Sequence, residues 1–191
     1  MENISDKKRA IFESMLELIK DHGFHGAPMS LVSKNAGVAA GTIYHYFASK
    51  DKLICELHAY NRSRVVEIIN AALDTDKPFK AKLFNIWMSL YEFYIENPNV
   101  LIFFEQYINS PFNMNKCPNH FEGRFFRFLK EGIETRQLKA TKPEMLMVLT
   151  MGNISSIAKM SSFGHVPFNE ADLKQVREML WDAIAAKSNA G

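Results

Sequence analysis

The sequence predicts an all-α fold of about nine helices, and three observations predict it. Apolar residues recur at three- and four-residue steps in every long segment. No stretch alternates apolar and polar residues as a half-buried strand does. Glycine, proline and short polar clusters cut the chain into pieces of helical length. With 191 residues, 47% of them hydrophobic, the chain has material for a real core.

Residues 7–22 form the first expected helix. Ile11, Met15, Leu18 and Ile19 share one face, Phe12 and Leu16 widen it, Ser5 or Asp6 caps it and Gly23 stops it. Pro28 suits the first turn of a second helix, which Gly37 breaks, because that turn does not need its N–H. A short third helix covers residues 40–47. Ser49 then caps a long helix carrying Leu53, Ile54, Leu57, Val65, Ile68 and Ile69, which ends at Asp74-Thr-Asp-Lys-Pro78. Helices follow over 79–96 and 100–109, closed by Asn97-Pro98 and Ser110-Pro111. Residues 113–119 read as a loop. Helices over 120–138, 143–163 and 170–187 complete the set.

Composition excludes several classes. Cys55 and Cys117 are far apart in sequence and lack Cys or His neighbours at metal spacing, so neither a disulfide framework nor a zinc site is expected. The start of the chain has no charged region leading into an apolar run, and no run is long enough to span a bilayer. The expected setting is the cytoplasm. No His-Glu-x-x-His, phosphate loop or nucleophile elbow occurs, so no catalytic residue, metal or cofactor is expected. The net charge of +2 is small, but its distribution is informative. No Asp or Glu lies between Asp21 and Asp51, where an even spread of 21 acids would place about three, while Lys34, Lys50, His22, His25 and His45 fall inside. An acid-free surface suits a polyanionic partner.

That window holds the informative motif, Ser30 to Leu53. Val32 and Ala36 share a face of the second helix. Gly37 permits the sharp turn, because only glycine takes positive φ freely, and Val38 plugs the corner. Ile43 and Phe47 face inward from the third helix, leaving Ala40, Gly41, Tyr44 and His45 outward. Two short helices around a glycine turn form a helix-turn-helix, which offers the start of its second helix to the DNA major groove. Small Ala40 and Gly41 allow close approach, and Ala40 suits a thymine methyl. Thr42, Tyr44 and His45 bring hydrogen bonds and ring contacts, and Lys50 opens the next helix where a phosphate is favoured.

Ala36-Gly-Val-Ala-Ala-Gly-Thr-Ile-Tyr-His-Tyr-Phe47, followed by Ser49-Lys-Asp-Lys-Leu53, resembles the DNA-binding head of the TetR/AcrR family of transcriptional regulators. The resemblance covers about the first quarter of the chain and implies a helix-turn-helix domain over residues 1–53. It also implies a ligand-binding and dimerisation domain over 54–188. The family's DNA contacts fall on Ser30, Ala40, Gly41, Thr42, Tyr44, His45 and Lys50. Two positions depart from it: Pro28 stands where many members cap the second helix with threonine, and Ala39-Ala40 stands where many have Ser-Lys.

The remaining helices are rich in aromatic residues and methionine. Most of these side chains are needed as core, yet such walls also suit an adaptable apolar pocket, which the resemblance implies. Trp87, Tyr91, Phe103, Phe104, Tyr107, Phe125, Met151 and Asn153 are the expected pocket residues, with Tyr91, Tyr107 and Asn153 as polar handles. The last two helices are the implied dimer interface. Gly152, Ser155, Ser156 and Lys159 form a strip of mostly small residues, with Met160, Leu180, Trp181 and Ile184 as apolar anchors. The expected function is a ligand-responsive repressor that binds palindromic operator DNA as a homodimer and takes a small, largely apolar or aromatic effector. An alternative is a redox-responsive regulator sensing through Cys117, whose neighbour Lys116 favours the thiolate.

Overall fold

The computed structural model describes residues 5–115, 123–164 and 166–186. Among these residues the fold is all-α, with ten helices and a single bridge between Leu138 and Ala185. By packing the chain forms two compact units, one of residues 1–64 with 99–119 and one of residues 65–98 with 120–191. No helix among the described residues is long and apolar enough to cross a membrane.

The first unit begins with α1 (Asp6–His22), α2 (Met29–Asn35) and α3 (Ala40–Tyr46). Ser5 caps α1 by accepting from the Lys8 N–H, and the inward stripe of α1 is Ile11, Phe12, Met15, Leu18 and Ile19. The buried Ser14 hydroxyl donates to the Val32 carbonyl at 3.0 Å and clips α1 to α2. Helix α4 (Lys50–Leu73) starts at Ser49, whose hydroxyl accepts from the Lys52 N–H. Its first half packs Leu53, Ile54 and Leu57 into the same core. Helices α6 (Pro98–Ile108) and α7 (Pro111–Asn115) complete the unit. They are held to the end of α1 by Gln106, which donates to the Ile19 carbonyl at 3.1 Å. Phe24 adds ring contacts to Phe103 and Phe112.

Helix α7 departs from expectation, since Ser110-Pro111 was read as a stop. Proline at the first position of a helix is well tolerated, so the same dipeptide that ends α6 also starts α7. The start of the helix expected at residue 120 lies partly outside the described residues. Helix α8 (Arg124–Glu134) also ends earlier than expected, because the chain turns through Arg136 at φ 58°.

The second unit contains the end of α4, then α5 (Phe79–Glu96), α8, α9 (Pro143–Phe163) and α10 (Glu170–Ile184). Leu146, Thr150, Ile154 and Ala158, spaced by four, are the buried stripe of α9. Asn169 and Asp172 form a capping box that starts α10. Phe79 stacks on Phe128 at 4.1 Å. Gly132 makes that approach possible: a Cβ there would stand 2.4 Å from the Phe79 ring and 2.8 Å from Leu138.

Candidate nucleic-acid interface

Gly37 joins α2 to α3 at φ 65°, and the Val38 N–H donates back to the Ser33 carbonyl at 3.0 Å. This tight turn fixes the helix pair. Ile43 and Phe47 are fully buried, so their positions decide which face of α3 meets solvent. Ala40, Gly41, Tyr44 and His45 lie on that exposed face, Tyr44 being 56% exposed. Ser30 on α2 is also exposed, and Thr42 is half-buried. No atom lies within 4 Å of where a Gly41 side chain would begin, so the surface there is open. Tyr46 is half-buried, its hydroxyl 3.2 Å from that of Ser5, which makes it part of the scaffold.

Lys50 differs from the other positions. It stands at the start of α4, but its ammonium donates to the Phe24 carbonyl, and burial lowers its pKa. A phosphate at Lys50 would have to draw the ammonium from that carbonyl. The residues of this face fall in a stretch of 29 residues, bounded by Asp21 and Asp51, that contains no carboxylate side chain, although Asp51 stands beside Lys50 and acts on its charge.

The expected pocket residues divide between the units. Phe103, Phe104 and Tyr107 belong to the first, and Trp87, Tyr91, Phe125, Met151 and Asn153 to the second. Trp87, Phe103 and Tyr107 are essentially buried. Two of the three polar handles already have side-chain partners. Asn153 accepts from the Trp87 indole at 2.7 Å, and the Tyr91 hydroxyl lies 3.0 Å from that of Ser161. Tyr107 stacks on His58 at 4.0 Å, with the ring planes 9° apart. Sequence reasoning missed His58, though it follows Ile54 by four on the buried side of α4.

On α9 and α10 the outward face is more apolar than expected. Gly152, Ser156, Lys159 and Met160 are exposed, and Ser155 is half-buried with its hydroxyl on the Met151 carbonyl. Leu180 and Ile184 are buried in the unit's own core, and Trp181 lies half-buried, 6.4 Å from Phe79. The large apolar side chains that these two helices expose most are Met145, Val148, Leu149 and Met179, all about half exposed or more. The reason is register: Leu173, Leu180 and Ile184 form one stripe of α10, and Met179 sits about 100° away from Leu180. A groove of about 580 Å³ between α9 and α10 includes Val148, Leu149, Gly152, Ser156 and Met179.

The cysteine expectation needs correction. Cys55 is half-buried and disulfide-bonded, where the sequence led to no expectation of a disulfide. Separation in sequence does not limit proximity in a helical fold. Cys117, the chain's other cysteine, lies outside the described residues.

Comparison with known proteins agrees with this geometry. The family model described as bacterial regulatory proteins, tetR family, matches residues 11–57. A tetracyclin-repressor-like C-terminal domain model matches residues 78–185. An uncharacterised HTH-type transcriptional regulator of Haemophilus influenzae is 27% identical over 180 residues, covering 94% of this chain and 96% of its own. A TetR family transcription regulator from Marinobacter aquaeolei has the same fold, with a TM-score of 0.85 at 19% identity over 95% of this chain and 97% of that one. The regulator FadR from Bacillus subtilis, in complex with stearoyl-CoA, superposes with a TM-score of 0.66 at 18% identity, over 91% of this chain and 95% of its own.

Proposed function

The chain belongs to the TetR family of bacterial transcriptional regulators and carries the family's DNA-binding helix-turn-helix; from that premise we propose that it is a cytoplasmic, ligand-responsive repressor that binds a palindromic operator as a homodimer. One observation carries this reading: α3 buries Ile43 and Phe47 while presenting Ala40, Gly41, Tyr44 and His45 to solvent. Residues 1–53 read the operator, and residues 54–188 take the effector and form the dimer. Two heads related by a twofold axis meet successive major grooves about 34 Å apart. Ser30 and Lys50 fix register on phosphates, and Ala40, Gly41, Thr42, Tyr44 and His45 meet the groove.

The effector is small and largely apolar or aromatic, in keeping with the aromatic and methionine-rich helices after residue 79. A protein of the same fold, FadR from Bacillus subtilis, forms a complex with stearoyl-CoA, whose acyl chain is long and apolar although its CoA part is large and charged. Helix α4 is continuous from Lys50 to Leu73 and contributes residues to both units, which makes it the natural carrier of the signal. A tenfold change in operator affinity requires about 1.4 kcal/mol of coupling.

Substitution of the reading helix tests this. Thr42→Ala and Tyr44→Ala are each expected to weaken operator binding by about tenfold, equivalent to about 1–3 kcal/mol per lost base contact, while random-sequence binding changes little. Lys50→Ala should weaken both alike and flatten the salt dependence. Gel-shift titrations on operator and random duplexes across a salt series measure this. Wild-type affinity for both Ala variants would sink the assignment.

The disulfide at Cys55 supports a second reading, in which thiol oxidation adjusts DNA binding. Two thiols give one S–S bond, and hydrogen peroxide takes their two electrons and two protons to leave two waters. Operator affinity should then differ at least about threefold between dithiothreitol- and peroxide-treated protein, and the difference should vanish in Cys55→Ser. Equal affinity in the two states removes this reading.

A further inference from the structure

Arg177 lies on the inward stripe of α10, four residues after Leu173 and three before Leu180, both buried. An arginine at such a position ordinarily brings a carboxylate with it, because a guanidinium leaves water at a cost that an ion pair offsets. Arg177 has none among the described residues. The residue is half-buried, and its Nε is fully buried with no hydrogen-bond acceptor. The adjacent Glu178 is taken by Lys80 at 2.6 Å. What surrounds the guanidinium instead is aromatic: it sits 5.8 Å from the Phe84 ring centre and 5.9 Å from that of Trp87. The Trp87 ring is held in place by its indole bond to Asn153.

Aromatic faces attract a cation but accept nothing from its N–H groups within the guanidinium plane. The edge formed by Nε and one terminal nitrogen has the fork geometry that matches a carboxylate. A half-buried side chain set over two rings, with its buried Nε lacking an acceptor, is arranged to receive an anion supplied from outside the chain. We propose that the effector is an apolar organic acid whose carboxylate pairs with Arg177 beside Trp87 and Phe84. The proposal rests on the ligand-responsive reading above and deepens it, since an anionic end is added to an otherwise apolar molecule.

The probes are octanoate and benzoate, each set against its uncharged counterpart, octanol or benzyl alcohol. Binding is followed by tryptophan fluorescence, because Trp87 lies under the guanidinium and Trp181 is nearby on the same helix. At least one acid should bind the intact protein ten or more times tighter than its alcohol, a contrast that needs no variant. Arg177→Met should abolish that preference and leave alcohol binding unchanged, and Arg177→Lys should restore part of it. Arg177→Gln, which keeps polarity without charge, substitutes for the Met variant if that one does not fold. Acids and alcohols bound equally, or an acid preference that survives loss of the charge, would overturn the proposal while leaving a ligand-responsive repressor intact. Silence from all four probes overturns it as well. Native mass spectrometry of the purified protein then decides separately whether any other effector is retained.

Discussion

On the homodimer proposed above, Val148→Glu is expected to leave the protein monomeric and to lower operator affinity by about a hundredfold or more. Val148 is the most exposed large apolar residue among those described, at 70%, and Met145, Leu149 and Met179 lie on the same two helices at 54%, 49% and 63%. Apolar side chains grouped to this degree on two neighbouring helices mark an association surface. The small residues Gly152 and Ser156 sit among them, where they let a second pair of helices approach closely. In a twofold interface each substitution appears twice, so two carboxylates would enter one apolar contact. Each costs several kcal/mol to desolvate, enough to dissolve an interface of ordinary size.

The protomer itself should tolerate the change. Val148 faces away from the stripe formed by Leu146, Thr150, Ile154 and Ala158, and a surface substitution of this kind shifts stability by roughly 0.5 kcal/mol or less. Sedimentation velocity should therefore show the single-chain mass with an unchanged circular dichroism spectrum, and gel shifts should show the loss of operator binding. Met179→Glu, from the other helix of the face, should act in the same way. Two variants that remain dimeric and bind operator normally would show that this face serves another purpose.

How much of this was legible in the sequence depended on how local the determining physics is. The helix-turn-helix was legible residue by residue, because a four-residue apolar step and one glycine settle which way α3 faces; Gly37 at φ 65° and the buried Ile43 and Phe47 follow from that pattern alone. In the body the helices were legible but their neighbours were not. Phe103, Phe104 and Tyr107 read as body residues by position in the chain, yet they pack in the unit that contains the head. Nothing in their own periodicity encodes that choice, which is set by Phe24 meeting Phe103 and by Gln106 of α6 bonding to the end of α1. The register of α10 was available and was missed. Leu173, Arg177, Leu180 and Ile184 follow steps of four, three and four, which put Met179 outward and drew the arginine inward. Cys55 was the least legible, because a disulfide depends on a spatial approach that no spacing reports.

Acidification should unfold the first unit through His58, with a loss of roughly 3 kcal/mol between pH 6.5 and 4. Burial, and after it the nearby Arg62 charge, lowers the His58 pKa from 6.5 to about 4. The imidazole lies parallel to the Tyr107 ring at 4.0 Å and edge-on to Phe104, and only 8% of the residue is exposed, so a proton on it meets ring faces and little water. Above pH 6.5 the ring is neutral in both folded and unfolded chains, and the site makes no difference to stability. As pH falls the unfolded chain takes up the proton first, so stability declines steadily and the loss is complete below about pH 4. His58→Phe keeps a ring against Tyr107 but cannot be protonated. Carboxylates elsewhere titrate equally in both proteins, so the difference between the two melting curves isolates the histidine. Wild type should lose about 5–10 °C more in melting temperature than the variant over this range. Operator binding, which needs α1 to α4 intact, should fail at a higher pH in the wild type. Parallel pH profiles for the two proteins would mean that the imidazole is already hydrated in the folded state and that its stack on Tyr107 opens readily.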